Sequence, residues 1–158
     1  MMEINEKFKV LRIAFLNIHL IATILWVGAV YMGAVIDWPA ARDSVKKGQF
    51  PFRFIIGQGT RVFYSVYTGI SLLWISGIGL TILGPPLVGP AKIMLVLKVL
   101  LLMTMTGLTM YGTFGTWSKL QLSLDEEATE RYEGYIFRAY ITLISGLIAS
   151  ILGLNMFN

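Results

Sequence analysis

Cysteine is absent from this chain, and histidine occurs once, at position 19. The first absence excludes disulfides, thiolate metal sites and thiol catalysis. The second means that a metal or haem iron can draw at most one imidazole from a single chain. Charge is also scarce: 14% of the 158 residues are Asp, Glu, Lys or Arg, against 56% hydrophobic. That leaves too little polar surface for an ordinary soluble domain, and the mean hydropathy of +0.70 agrees.

What is present is long apolar runs. Spanning a hydrocarbon core of about 30 Å takes roughly 20 helical residues. Four stretches meet that length: residues 13–36, 62–83, 93–115 and 139–157. The linkers between them hold 25, 9 and 23 residues, so no further domain is left over and residues 1–158 read as one unit. The predicted fold is an all-α integral membrane protein, a bundle of four transmembrane helices in contact with the lipid bilayer. The first run follows Lys7, Lys9 and Arg12, as a secretory signal would. It exceeds the roughly 7–15 apolar residues of a signal core and has no small-residue cleavage site, so it is read as a mature helix.

The formal net charge of +4 raises the question of nucleic acid, but the basic residues sit at helix ends and in linkers, where membrane topology accounts for them. No nucleic-acid partner is expected. Lys7, Lys9, Arg12 and Lys92 fall on one side, and eight cations fall in the first and third linkers: Arg42, Lys46, Lys47, Arg53, Arg61, Lys119, Arg131 and Arg138. The positive-inside rule then puts those linkers in the cytoplasm and both termini outside.

The linkers carry their own signals. Phe50-Pro51-Phe52-Arg53-Phe54 mixes rings with a cation, a composition suited to the bilayer interface. Ser123-Leu124-Asp125-Glu126 has the capping-box pattern, predicting that the fourth helix starts before the membrane. Within the apolar runs, Ser145, Ala149 and Gly153, and likewise Ala29 and Gly33, recur every four residues, the spacing that lets helix backbones approach closely. Packing inside the bundle is the simpler use of those stripes, and a homo-oligomer face the other.

His19 is the chemical oddity. An ionisable ring in a membrane helix costs free energy and generally faces a bundle interior or a water-filled cavity. It lies six residues, about 9 Å, beyond Ile13, while Lys98 lies five residues, about 7.5 Å, beyond Ile93 on a helix entering from the same side. The two groups are predicted to share a layer. Met94, one turn from Lys98, can join it, as can Ser76 or Thr81 from the second helix and Asn155 from the fourth. Asn17 is about 200° around the helix from His19 and faces elsewhere. The plainer alternatives are a hydrogen-bonded core histidine, a lysine snorkelling to the interface, and a packing methionine.

The segment His19-Leu20-Ile21-Ala22-Thr23-Ile24-Leu25-Trp26-Val27-Gly28-Ala29 resembles the opening helix of CopD-like (copper resistance protein D type) membrane proteins and, more loosely, of HemJ-like proteins of haem biosynthesis. Arg61-Val62-Phe63-Tyr64, Ser76-Gly77-Ile78-Gly79-Leu80 and Leu97-Lys98-Val99-Leu100-Leu101 extend the likeness over about three of the four helices. The resemblance implies a four-helix unit handling a b-type haem or copper near the outer leaflet. On that resemblance His19 and Lys98 are the positions that match functional residues of HemJ-like proteins; Arg12 and Trp26 are further candidate cofactor contacts, and His19 with Met94 the candidate metal contacts. If the protein is an enzyme, it is then a membrane oxidoreductase. HemJ-like proteins carry further histidines where this chain has Asp37-Trp38-Pro39 and Met110-Tyr111-Gly112, so bis-histidine ligation within one chain is impossible.

Donor chemistry orders these options. Haem needs an axial donor, an apolar slot and cations for its propionates, for which His19, the aromatic-rich helices, and Arg12 or Lys98 are available. Copper(I) favours thiolate and thioether, and His19 with Met94 is a sparse set for it. A different class is equally compatible with the composition: a small accessory subunit of a larger membrane complex, with no cofactor of its own.

Overall fold

The apolar runs and most of the linkers between them form continuous helix. In the computed structural model, which describes residues 2–155, α1 (Met2–Tyr31) passes through a π-helical turn (Met32–Asp37) into α2 (Trp38–Val45) without a break. α3 (Phe52–Leu83) follows, then α4 (Pro90–Met110), a second π-helical segment (Tyr111–Trp117) and the short α5 (Ser118–Leu120). α6 (Asp125–Asn155) closes the described chain, and residues 156 and 157 of the predicted fourth run lie outside it. Four helical spans long and apolar enough to cross a membrane result: Glu6–Val45, Phe52–Leu83, Pro90–Leu120 and Asp125–Asn155. The fold is the expected all-α four-helix bundle, and no strand occurs among the described residues.

The spans outrun the apolar stretches because the linkers have helical chemistry of their own. Pro39 sits in the first turn of α2, where its missing N–H costs little. Its ring and absent donor disturb the turn before it, and the local answer is the wider π turn, in which the Trp38 N–H reaches back to the Gly33 carbonyl. Tyr140 of α6 donates to the Ala34 carbonyl at 3.0 Å within that turn. The fourth helix begins before its apolar run, as the capping pattern predicted, but by different contacts. The Ser123 hydroxyl donates backward to the Lys119 carbonyl at 2.9 Å, and the Asp125 carboxylate accepts the Phe50 N–H at 2.9 Å.

Packing divides into two buried clusters. At the linker end, Trp38, Phe50, Trp117 and Tyr132 build an aromatic knot, with Trp38 edge-on to Tyr132 at 5.1 Å between centroids. Phe50 is therefore buried in this knot, while Phe54 of the same aromatic linker stays exposed. Toward the termini, Ala22, Trp26, Val66, Ile70, Leu73 and Met105 form the second cluster.

The first span packs closely on the second and also on the fourth, and the third packs on the fourth. The second and third spans, although joined by the shortest apolar-run linker, keep their backbones apart and meet through side chains: Trp74 Nε1 donates to Thr106 Oγ1 at 3.3 Å, and Phe63 packs edge-on against Trp117 at 5.0 Å. Glycines decide how the first two spans approach. A Cβ on Gly69 would stand 3.1 Å from Trp26 Cβ and 3.3 Å from the Ala22 carbonyl oxygen, and one on Gly79 would stand 2.9 Å from the Phe15 ring. On the fourth span, Gly146, beside the buried Ser145 of the small-residue stripe, receives Val27 and Met105, with Cβ clearances of 2.9 and 3.1 Å. That stripe therefore packs within the bundle.

Candidate functional site

His19 enters the bundle on the face of α1 that meets α3. Its ring rests against Gly77, where an added Cβ would lie 3.6 Å from Cε1, so the glycine leaves room for the imidazole edge. Nδ1 is 2.9 Å from the hydroxyl of Ser76, a residue with no exposed surface. Ser76 Oγ also reaches the Leu72 carbonyl at 2.5 Å. When its proton is donated there, the hydroxyl accepts from His19 Nδ1–H and Nε2 keeps its lone pair. Nε2 makes no hydrogen bond among the described residues. The Thr23 hydroxyl, one turn on, donates to the His19 carbonyl at 2.8 Å.

Lys98 is half-buried on α4 and lays its ammonium against α6, where the Nζ would stand 2.8 Å from a Cβ on Gly153. Lys98 thus turns toward α6 while the His19 ring turns toward α3, and no hydrogen bond joins the two among the described residues. Ser76, one of two hydroxyls considered for that layer, is the one that bonds the ring; Thr81 is exposed and donates to the Gly77 carbonyl in its own helix. Asn155 is also exposed and donates to the Ile151 carbonyl at 2.9 Å, so its side chain serves its own helix end. Asn17 is exposed, as its angle around the helix predicted.

The remaining sequence candidates are dispersed. Arg12 is exposed on α1, seven residues before His19, and Met94 is half-buried on α4, one turn before Lys98. Trp26 is fully buried two turns beyond His19, where its backbone and Cβ meet Gly69 of α3. Its indole Nε1 has no hydrogen-bond partner. No group of three or more His, Cys, Asp or Glu side chains able to hold a metal ion converges among the described residues. No family model, curated protein or solved structure matches this chain. What the site can do is therefore argued from its own donors.

Sequence reading missed a second polar centre at the linker end. Counting Asp37 and Arg138 as flanking residues of apolar runs concealed that helix continues on both sides of them. In the structure both line one cavity of about 80 Å³ reached by all four spans. The Gln58 amide donates to Asp37 Oδ2. The Arg138 guanidinium donates through Nη2 to Thr116 Oγ1 at 2.7 Å and lies 5.0 Å from the Tyr111 ring centroid. The one signal available beforehand was the pair of glycine-bearing segments, Met32–Asp37 and Tyr111–Trp117, whose helical pitch relaxes beside the cavity.

Proposed function

We propose that this membrane protein holds a b-type haem at the termini end of the bundle through His19, in redox service. The carrying observation is the hydrogen-bonded chain behind the ring: Leu72 carbonyl, Ser76 hydroxyl, then His19 Nδ1. Ligating histidines are held in this way, with the remote nitrogen donating to a fixed acceptor so that the other faces the metal in the required tautomer. Haem brings nitrogen ligands of its own and would need only one imidazole, that of His19, from this chain. A bare copper ion would need more donors than the nearby side chains supply. With haem bound, the site would supply one-electron chemistry; Ser76 would hold the ring, Lys98 and Arg12 would neutralise propionates, and the helices would exclude water. Copper held by His19 with Met94 is the weaker form of the proposal. In both forms the termini end lies outside the cell, in keeping with the eight cations of the first and third linkers.

The test is the absorbance spectrum and metal content of the protein purified from haem- and copper-replete cells. A Soret band that disappears in His19→Ala, with helix content unchanged by circular dichroism, is the expected result. Copper without pigment, lost in both His19→Ala and Met94→Ala, would select the copper form. A colourless, metal-free protein that co-purifies stoichiometrically with other membrane chains would overturn both and leave the accessory-subunit reading.

A further inference from the structure

Two residues that line the linker-end cavity carry buried donors with nothing to bond. Trp117 is 5% exposed and lines the cavity, yet its Nε1 is buried without a partner; the buried Nε of Arg138 is likewise unpaired. Unpaired buried donors are costly, and an arginine with a free Nε is a strong donor for an anionic oxygen. Asp37 lines the same cavity without forming an ion pair with Arg138, and only its Oδ2 is engaged, by Gln58. A cation with spare donors and an anion with a spare acceptor thus line one cavity.

A simple anion would meet Asp37, and a simple cation would meet Arg138. A short zwitterion satisfies both. We propose that this cavity binds a primary ammonium joined by a short chain to an oxyanion, with the oxyanion on Arg138 Nε and Trp117 Nε1 and the ammonium on Asp37. The site lies at the boundary between apolar runs and linkers, the depth of lipid headgroups, since Asp37 directly follows the first run and Arg138 directly precedes the fourth. Two sources supply the same chemistry, a phosphatidylethanolamine headgroup or a free molecule such as O-phosphoethanolamine. The two π-helical segments frame the site, and Gly33 in the first lines it with no atom within 4 Å of an added Cβ.

The experiment uses the whole chain in nanodiscs. Native mass spectrometry compares retention of phosphatidylethanolamine with that of phosphatidylcholine, whose quaternary ammonium has no N–H to give Asp37. In discs of phosphatidylcholine alone, tryptophan fluorescence follows titration with O-phosphoethanolamine and with inorganic phosphate. Preferential retention of phosphatidylethanolamine identifies the lipid as the source; saturable binding of O-phosphoethanolamine identifies the free molecule. In either case Arg138→Gln and Asp37→Asn should each weaken the interaction by about tenfold or more, the loss of a charge-assisted contact. Gly33→Leu, which fills the cavity and leaves every charged group in place, should abolish it and serves if the charge variants fail to fold. Equal retention of both lipids together with no binding of O-phosphoethanolamine would overturn the proposal, as would inorganic phosphate binding as tightly as O-phosphoethanolamine.

Discussion

A membrane histidine is defined by what stands behind it. Ser76 bonds both its own helix and the His19 ring, and as an acceptor from Nδ1–H it would leave Nε2 free for the proposed iron. Ser76→Ala keeps the small volume and removes the acceptor. Loss of such an orienting partner commonly weakens metal affinity by about 10–100-fold, so the Soret titration of Ser76→Ala should show haem binding weakened to that extent at unchanged helix content. Unaltered affinity would mean that Ser76 merely satisfies a buried ring. The shared depth of His19 and Lys98 was legible because helical rise is fixed at about 1.5 Å per residue. Which hydroxyl met the ring was not legible, since Ser76 and Thr81 lie about 140° apart around α3 and apolar surroundings conceal a helix's rotation. Arg138 and Asp37 were hidden for another reason: a charge at the end of an apolar run looks the same whether the helix stops there or continues.

At the scale of elements, α3 is the notched partner in the bundle. Phe15, His19 and Trp26 of α1 meet Gly79, Gly77 and Gly69, and farther along Gly59 receives the Trp117 ring, whose Cζ2 would stand only 2.2 Å from an added Cβ. Large side chains at these positions would force the helices apart, since neither backbone nor indole can yield cheaply. Gly69→Leu should therefore lower the thermal aggregation temperature in detergent, by an amount equivalent to about 1–3 kcal/mol or more. Gly57→Leu, at a position with open space around it, should leave that temperature nearly unchanged. Small-residue spacing announced the stripe on α6, which recurs every four residues. The notches on α3 follow no single period, because each answers one bulky partner on another span. Their arrangement is a property of pairs of helices and cannot be read from one.

At the scale of the molecule, the absence of cysteine becomes an experimental asset. Lys46 and Val88 are exposed at opposite ends of the bundle, one beyond α2 and the other in the turn between α3 and α4. Single-cysteine variants at these two positions should label oppositely with a membrane-impermeant maleimide: Val88→Cys in intact cells, Lys46→Cys only after the membrane is opened. The reverse pattern would place the termini end, and His19 with it, inside the cell. Four spans were legible from run length alone, whereas their extension into linkers was not, because amphipathic segments such as 125–138 earn their helical form by burying Tyr132 and Ile136 in the aromatic knot. The uneven contacts among spans have a further consequence for biogenesis. With the backbones of the second and third spans held apart, the closest helix pairs lie within two hairpins, residues 2–83 and 90–155. Each hairpin can thus close as it leaves the insertion machinery. The polar groups contributed by the two hairpins, Asp37 on one and Arg138 on the other, come within reach of one another only when the hairpins dock, first span to fourth and Gly59 of the second to Trp117 of the third.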